Sequence, residues 1–241
     1  MIKCVTFDLD DTLWAVDPVI DAANRSLFDW LALNAELFTR QFSLTDLPRL
    51  RQEVLQRHPE IAHSVTQIRL RLLEHGLLTA GYARAEAEAL ALQAFEVFLD
   101  GRNRVEFFEH AITMLQVLRE RGLLIGALSN GNADVNRVGL GDYFDFQFNA
   151  DGTGTEKPHP LMFEQALEKT GLRPEQVVHV GDNPVADIEG AHNAGYWTIW
   201  VNLRDELWPG GPAPDQVVHD LSQVPQALVE IAEIAASRVT L

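Results

Sequence analysis

The chain has 241 residues, 46% of them hydrophobic, which suits one large domain or a medium one carrying a smaller insert and excludes wholesale disorder. Its formal charge of -16 argues against a nucleic-acid backbone as partner, because affinity for phosphate polymers comes mainly from Lys and Arg. The single cysteine, Cys4, rules out a disulfide framework, no stretch is long and uncharged enough to span a bilayer, and no cleavable signal pattern opens the chain, so a cytoplasmic protein without a membrane role is expected. Apolar residues 2–7 predict a strand that runs straight into Asp8, Asp10 and Asp11. Residues 17–100 show no strand; Leu, Phe and Ala recur at three- and four-residue steps, predicting about four helices broken near Asn34, Pro48, His58-Pro59 and between Gly76 and Gly81. From Glu106 a helix through Arg121, closed by Gly122, leads into strand 123–128 and the polar run Ser129-Asn130-Gly131.

A helix from about Asn132, a strand at 144–148 and a helix at 158–169 stopped by Gly171 follow. Strand 177–180 then runs into Gly181-Asp182-Asn183-Pro184, with a helix to Gly195, strands at 197–201 and 216–219, a Pro- and Gly-rich loop at 208–214 and a last helix from Val224. Strand and helix in alternation predict an α/β fold, a parallel sheet covered on both faces, with the helical block inserted after the first strand.

Two carboxylates two residues apart, Asp8 and Asp10, repel one another and any anion unless a divalent cation or a proton is held with them. A calcium loop starting at Asp8 fails, because its required Gly would be Leu13 and its closing Glu would be Val19. What remains is an Asp able to attack an electrophile and a second placed to move protons. In an open parallel sheet functional groups gather at the carboxyl ends of strands, and three apolar strands here end in Asp8, Ser129 and Asp182. Lys157-Pro158 stands at a helix start, and Asp187 follows Asp182 by five residues, so both carboxylates can face one ion. No Gly-x-x-x-x-Gly-Lys loop and no His-Glu-x-x-His spacing is present. His179, inside a strand, reads as core, and Gly190, Ala191 and Ala194 as small residues for close packing.

Taken in order, Asp8-Leu9-Asp10-Asp11-Thr12, Ser129-Asn130, Lys157-Pro158 and Gly181-Asp182 with Asp187 resemble the four motifs of the haloacid dehalogenase (HAD) superfamily. The resemblance implies a Rossmann-like core, residues 1–16 and 101–241, and an inserted α-helical bundle cap, residues 17–100. It implies a phosphatase acting on a small phosphorylated metabolite, with Asp8 as nucleophile forming an aspartyl phosphate, Asp10 as general acid and base, and Lys157 as a fixed positive charge. Ser129 and the amides of Asn130 and Gly131 would bind the phosphoryl oxygens. Magnesium (Mg2+) is the implied cofactor, held by Asp8, the Asp10 carbonyl, Asp182 and Asp187. The namesake dehalogenases typically lack the second acid, Asp10, which a departing halide does not need; phosphosugar mutases keep all four motifs, and a non-catalytic binding protein is the reading from another class. Residues including Asp17-Pro18-Val19-Ile20, Pro59-Glu60-Ile61 and Gly139-Leu140-Gly141-Asp142-Tyr143-Phe144 further resemble the bacterial flavin-pathway phosphatases, associated with FMN and with 5-amino-6-(5-phospho-D-ribitylamino)uracil. Trp14, His63, Arg69 and Arg71, read with the cap, are candidate contacts to a leaving group.

Overall fold

The computed structural model describes residues 1–239. Two compact units divide them: Met1–Ala15 with the chain from Glu106 onward, and Val16–Val105 between. Strand β1 (Cys4–Phe7) is buried along its whole length and delivers Asp8 at its end.

The helical unit comprises α1 (Val16–Asn34), α2 (Glu36–Gln41), α3 (Leu47–Arg57), α4 (Val65–Thr79) and α5 (Arg84–Arg102). Leu27 and Leu31 of α1, Phe38 of α2, Leu73 and Leu77 of α4 and Phe98 of α5 pack into one apolar core. Small residues set how closely α1 and α5 approach: a Cβ on Gly101 would stand 2.8 Å from the Cα of Ala23. There are five helices where about four were expected. The break expected around Pro48 lies a few residues earlier, between α2 and α3, where the Ser43 amide donates to Asp46 Oδ2 at 2.9 Å and turns the chain. Pro48 begins α3 instead of interrupting a helix, because the first turn needs no amide there.

The other unit resumes with α6 (Ala111–Glu120), β2 (Leu124–Ser129), β3 (Phe146–Asn149), α7 (Ala150–Thr153), α8 (Leu161–Thr170), β4 (Val177–Gly181), a π-helical turn (Pro184–Glu189), α9 (Gly190–Asn193), β5 (Trp197–Val201), β6 (Gln216–Val218) and α10 (Val224–Val239). The helix expected from Asn132 is absent. Asp134 Oδ1 instead accepts the amides of Asn136 and Arg137, and Gly139 at φ 86° ends the run in a left-handed turn. Helix α8 starts at Leu161, after a cis Lys157-Pro158 bond and a turn in which the His159 amide donates to the Glu156 carbonyl. Its end at Gly171, in the left-handed conformation, is the one expected.

All six strands are parallel, in the order β3-β2-β1-β4-β5-β6. The protein is therefore an α/β molecule with a Rossmann-like sheet. Phe7 pairs with Ala127 on one side and with Val180 on the other, so β1 lies between two later strands and the strand order reverses there. A reversal of this kind leaves a crevice at the carboxyl ends of the strands, and the polar residues of the sequence arrive at that edge.

Candidate active site

Three neighbouring strands, β2, β1 and β4, end in Ser129, Asp8 and Gly181-Asp182. The Asp8 amide donates to the Val180 carbonyl at 2.9 Å, which continues the ladder one step and holds the Asp8 backbone to β4. Carboxylate oxygens of Asp8, Asp182 and Asp187 lie within 4.8 Å of one another. Gly181 is required between β4 and this cluster, because a Cβ there would run into the Asp187 carboxyl group.

Lys157, 2% exposed, sends its ammonium into the cluster. It donates to Asp8 Oδ1 at 2.9 Å and to Asp187 Oδ1 at 2.5 Å. The Lys157 backbone is held by a two-point clamp: Asn130 Nδ2 donates to its carbonyl at 2.9 Å, and its amide donates to Asn130 Oδ1 at 2.7 Å. The Asn130 side chain thus orients Lys157, while the Gly131 amide donates to Ser129 Oγ at 3.0 Å. Ser129 itself is buried.

Burial pushes the Asp8 carboxyl well above the usual carboxylate range; Lys157 pulls it back, and the neighbouring acids raise it again. Burial and Asp187 raise Asp182 to about 7. Asp187 behaves oppositely. Burial would raise it, but the Lys157 charge and a hydrogen bond from His179 hold it below the usual range, with the Asn183 amide adding a bond to Oδ2 at 2.9 Å. Burial also opposes the charge on Lys157, yet its two carboxylate neighbours keep the ammonium protonated. One lysine facing three acids leaves excess negative charge in a desolvated place. A hard, oxygen-seeking divalent ion such as magnesium suits that donor set.

Several contributors were not singled out by sequence reasoning. Thr12 Oγ1 donates to Asp182 Oδ1 and accepts from the Asp182 amide, both at 3.1 Å. Trp200 Nε1 donates to the Asp182 carbonyl at 2.7 Å. His179 is fully buried, as a core residue should be, but it also touches the cluster: its Nε2 lies 3.2 Å from Asp187 Oδ1 and its Nδ1 2.9 Å from Thr6 Oγ1. Burial lowers its pKa, so the ring is neutral, with Nε2–H donating to Asp187 and Nδ1 accepting from Thr6. A signal existed: Thr6 and His179 are register partners, two polar residues inside otherwise apolar strands.

Trp14, grouped with the cap in the sequence, belongs instead to the sheet-bearing unit and is fully buried. Its Nε1 donates to Asp10 Oδ1 at 2.9 Å. Arg69 is occupied within the helical unit, stacked 4.1 Å from the Phe98 ring centroid and donating to Asn24 Oδ1 at 3.0 Å. Arg71 pairs with Glu74 at 2.9 Å.

Among the described residues no helix is long and apolar enough to cross a membrane. The model of haloacid dehalogenase-like hydrolases matches residues 2–195. The chain is 38% identical to the 5-amino-6-(5-phospho-D-ribitylamino)uracil phosphatase YigB of Escherichia coli (strain K12) over 200 residues, 83% of each protein. It is 36% identical to a phosphoserine phosphatase of Thermus thermophilus over 65% of its length, covering 63% of that protein. Among solved structures, a 2-haloacid dehalogenase from Pseudomonas syringae pv. Tomato DC3000 is 42% identical, with a TM-score of 0.90 over 95% of this chain and 99% of that one. The motifs at the strand ends, the sheet that carries them and these relatives agree: the chain belongs to the haloacid dehalogenase-like hydrolase family.

Proposed function

We propose that the protein is a magnesium-dependent phosphatase of small phosphorylated metabolites that works through an aspartyl phosphate on Asp8. The observation that carries this reading is the placement of Lys157 between Asp8 and Asp187, with Asp10 two residues beyond the nucleophile. An Asp8 oxygen attacks phosphorus, the bond from phosphorus to the alkoxy oxygen breaks, and Asp10 gives its proton to the departing alkoxide. Asp10, now a carboxylate, takes a proton from water as the water oxygen attacks phosphorus, which releases inorganic phosphate and regenerates Asp8. Ser129 and the amides of Asn130 and Gly131 bind phosphoryl oxygens, and Lys157 holds nucleophile and anion together. Asp8, the Asp10 carbonyl, Asp182 and Asp187 would hold the magnesium ion, which when bound neutralises charge between the carboxylates and the phosphoryl group. The helical unit, Val16–Val105, takes the place of the family's inserted cap.

The substrate reading is a flavin-pathway phosphate, FMN or the aminouracil ribityl phosphate, supported by the 38% identity with YigB. The structure named a 2-haloacid dehalogenase favours a second reading, halide displacement by Asp8. Asp10 weighs against it, since a halide leaves without a proton.

Magnesium-dependent phosphate release is measured on a panel holding FMN, the aminouracil ribityl phosphate, sugar phosphates and phosphoserine, with halide release from 2-haloacids run beside it. Native protein and a folded Asp8→Asn variant are compared. Turnover that needs magnesium and vanishes in the variant supports the phosphatase and ranks its substrates. Metal-independent halide release without phosphate release establishes the dehalogenase reading instead.

A further inference from the structure

Asp10 has to hold a proton in one half of the proposed cycle and accept one in the other, so the oxygen that carries the proton matters. Its Oδ1 accepts the Trp14 indole N–H at 2.9 Å. An indole nitrogen is a donor only and cannot exchange roles as a hydroxyl can. Trp14 is also held in place. It is fully buried, its ring meets Phe107 edge-on at 5.9 Å between centroids, and its carbonyl accepts the Asp11 amide at 2.7 Å. Next to it the Phe108 amide donates to the Leu13 carbonyl at 2.8 Å. The donor is therefore held in place by burial, the Phe107 ring and its own backbone bond, and it presents a fixed N–H to Oδ1 of Asp10.

We propose that Trp14 is a positioning residue for the general acid and base: its N–H keeps Oδ1 of Asp10 as an acceptor throughout the cycle and so assigns the travelling proton to Oδ2. The inference rests on the phosphatase reading and adds to it a residue that never touches substrate. Without the N–H, Oδ1 of Asp10 loses its fixed donor and both proton transfers slow, whereas attack by Asp8 on a substrate whose leaving group needs no proton does not.

The test compares Trp14→Phe, which keeps a ring against Phe107, with Asp10→Asn and with the double variant. With p-nitrophenyl phosphate, whose phenolate leaves unprotonated, the first turnover of Trp14→Phe stays within about twofold of native while steady-state turnover falls about tenfold, the loss expected for a hydrogen bond to a charged group. A burst of one nitrophenolate per enzyme results. With an alkyl phosphate the first turnover and the steady state both fall, KM changes little, and Trp14→Phe adds no further loss in the Asp10→Asn background.

Unchanged alkyl phosphate turnover in folded Trp14→Phe overturns the proposal. So does an equal loss in the presence and absence of the Asp10 carboxyl, which would make the residue structural only. Native turnover by Asp10→Asn overturns the proposal together with the reading beneath it, whereas a crippled Asp10→Asn beside a native-like Trp14→Phe removes the proposal alone. Should Trp14→Phe not fold, 3-benzothienylalanine at position 14 keeps the ring shape, replaces N–H by sulfur and is held to the same outcomes.

Discussion

The Lys157 ammonium donates to Asp187 Oδ1 at 2.5 Å, with both side chains about 1% exposed, so the charge that faces Asp8 is itself held from behind. Removing the ammonium leaves two buried carboxylates without their cation. Lys157→Met is expected to lose about 3–5 kcal/mol of stability, the usual cost of breaking a buried pair from one side. Denaturant unfolding checks it, and magnesium should recover part of the loss by supplying positive charge. A loss below about 1 kcal/mol would mean that the acids are already neutral in the folded protein.

The raised acids make the metal-free protein more stable at low pH. Asp182 sits at about 7 when folded, against about 3.9 in an unfolded chain, so between those values only the folded state keeps the proton. Stability therefore falls as pH rises from about 4 through 7. The raised Asp8 contributes with the same sign, buried His179, kept neutral, opposes it below about pH 6.5, and Asp187, held low, would act only in more acidic solution. Thermal unfolding with a chelator should show a Tm several degrees lower at pH 8 than at pH 5. Magnesium should raise Tm most at pH 8, where the carboxylates it binds are ionised. A flat Tm profile in chelator with no magnesium effect would contradict the uncompensated cluster.

Thr12 braces Asp182 at both its amide and its carboxylate. Thr12→Val keeps the shape and deletes both bonds, so apparent magnesium affinity is expected to weaken about 10–100-fold, as for other groups that orient a metal ligand. Titration calorimetry reads this directly, and an unchanged affinity would separate Thr12 from the metal site.

At Gly181 a single methyl group meets the Asp187 carboxyl. Gly181→Ala should cost about 1–3 kcal/mol through overpacking and displace Asp187 from Lys157. Ile199→Val, on a neighbouring strand, is the control: it removes buried bulk and leaves Asp187 alone. Equal effects on activity from the two substitutions at matched stability would deny the contact its role.

Much of the sheet was readable because each strand is a short apolar run ended by Gly, Asp or Ser. Strands β1, β4 and β5 fall within a residue or two of the expected bounds. The helix expected from Asn132 failed because its pattern did not weigh the Asp134 side chain, which competes for the amides a helix would use. The acids of the site were legible as residues at strand ends, but their supports were not. Thr12 and His179 act through directed bonds across 170 and 173 positions of chain, which no local spacing encodes, whereas Trp14 reaches Asp10 only four residues away and was read as a contact to the leaving group instead. Asn130 was read through its amide, whereas its side chain clamps Lys157, a partner 27 residues away.

The central position of β1 has a consequence for synthesis. Cys4 pairs with Leu124 and with Val177, so the strand that bears the first aspartate is made first and completed nearly last. Val16–Val105 closes on its own core through neighbouring helices and can fold while later segments are still being made. Until β4 leaves the ribosome, β1 is an apolar strand with one edge unpaired, guarded by the charge of Lys3 before it and of the acidic turn behind it.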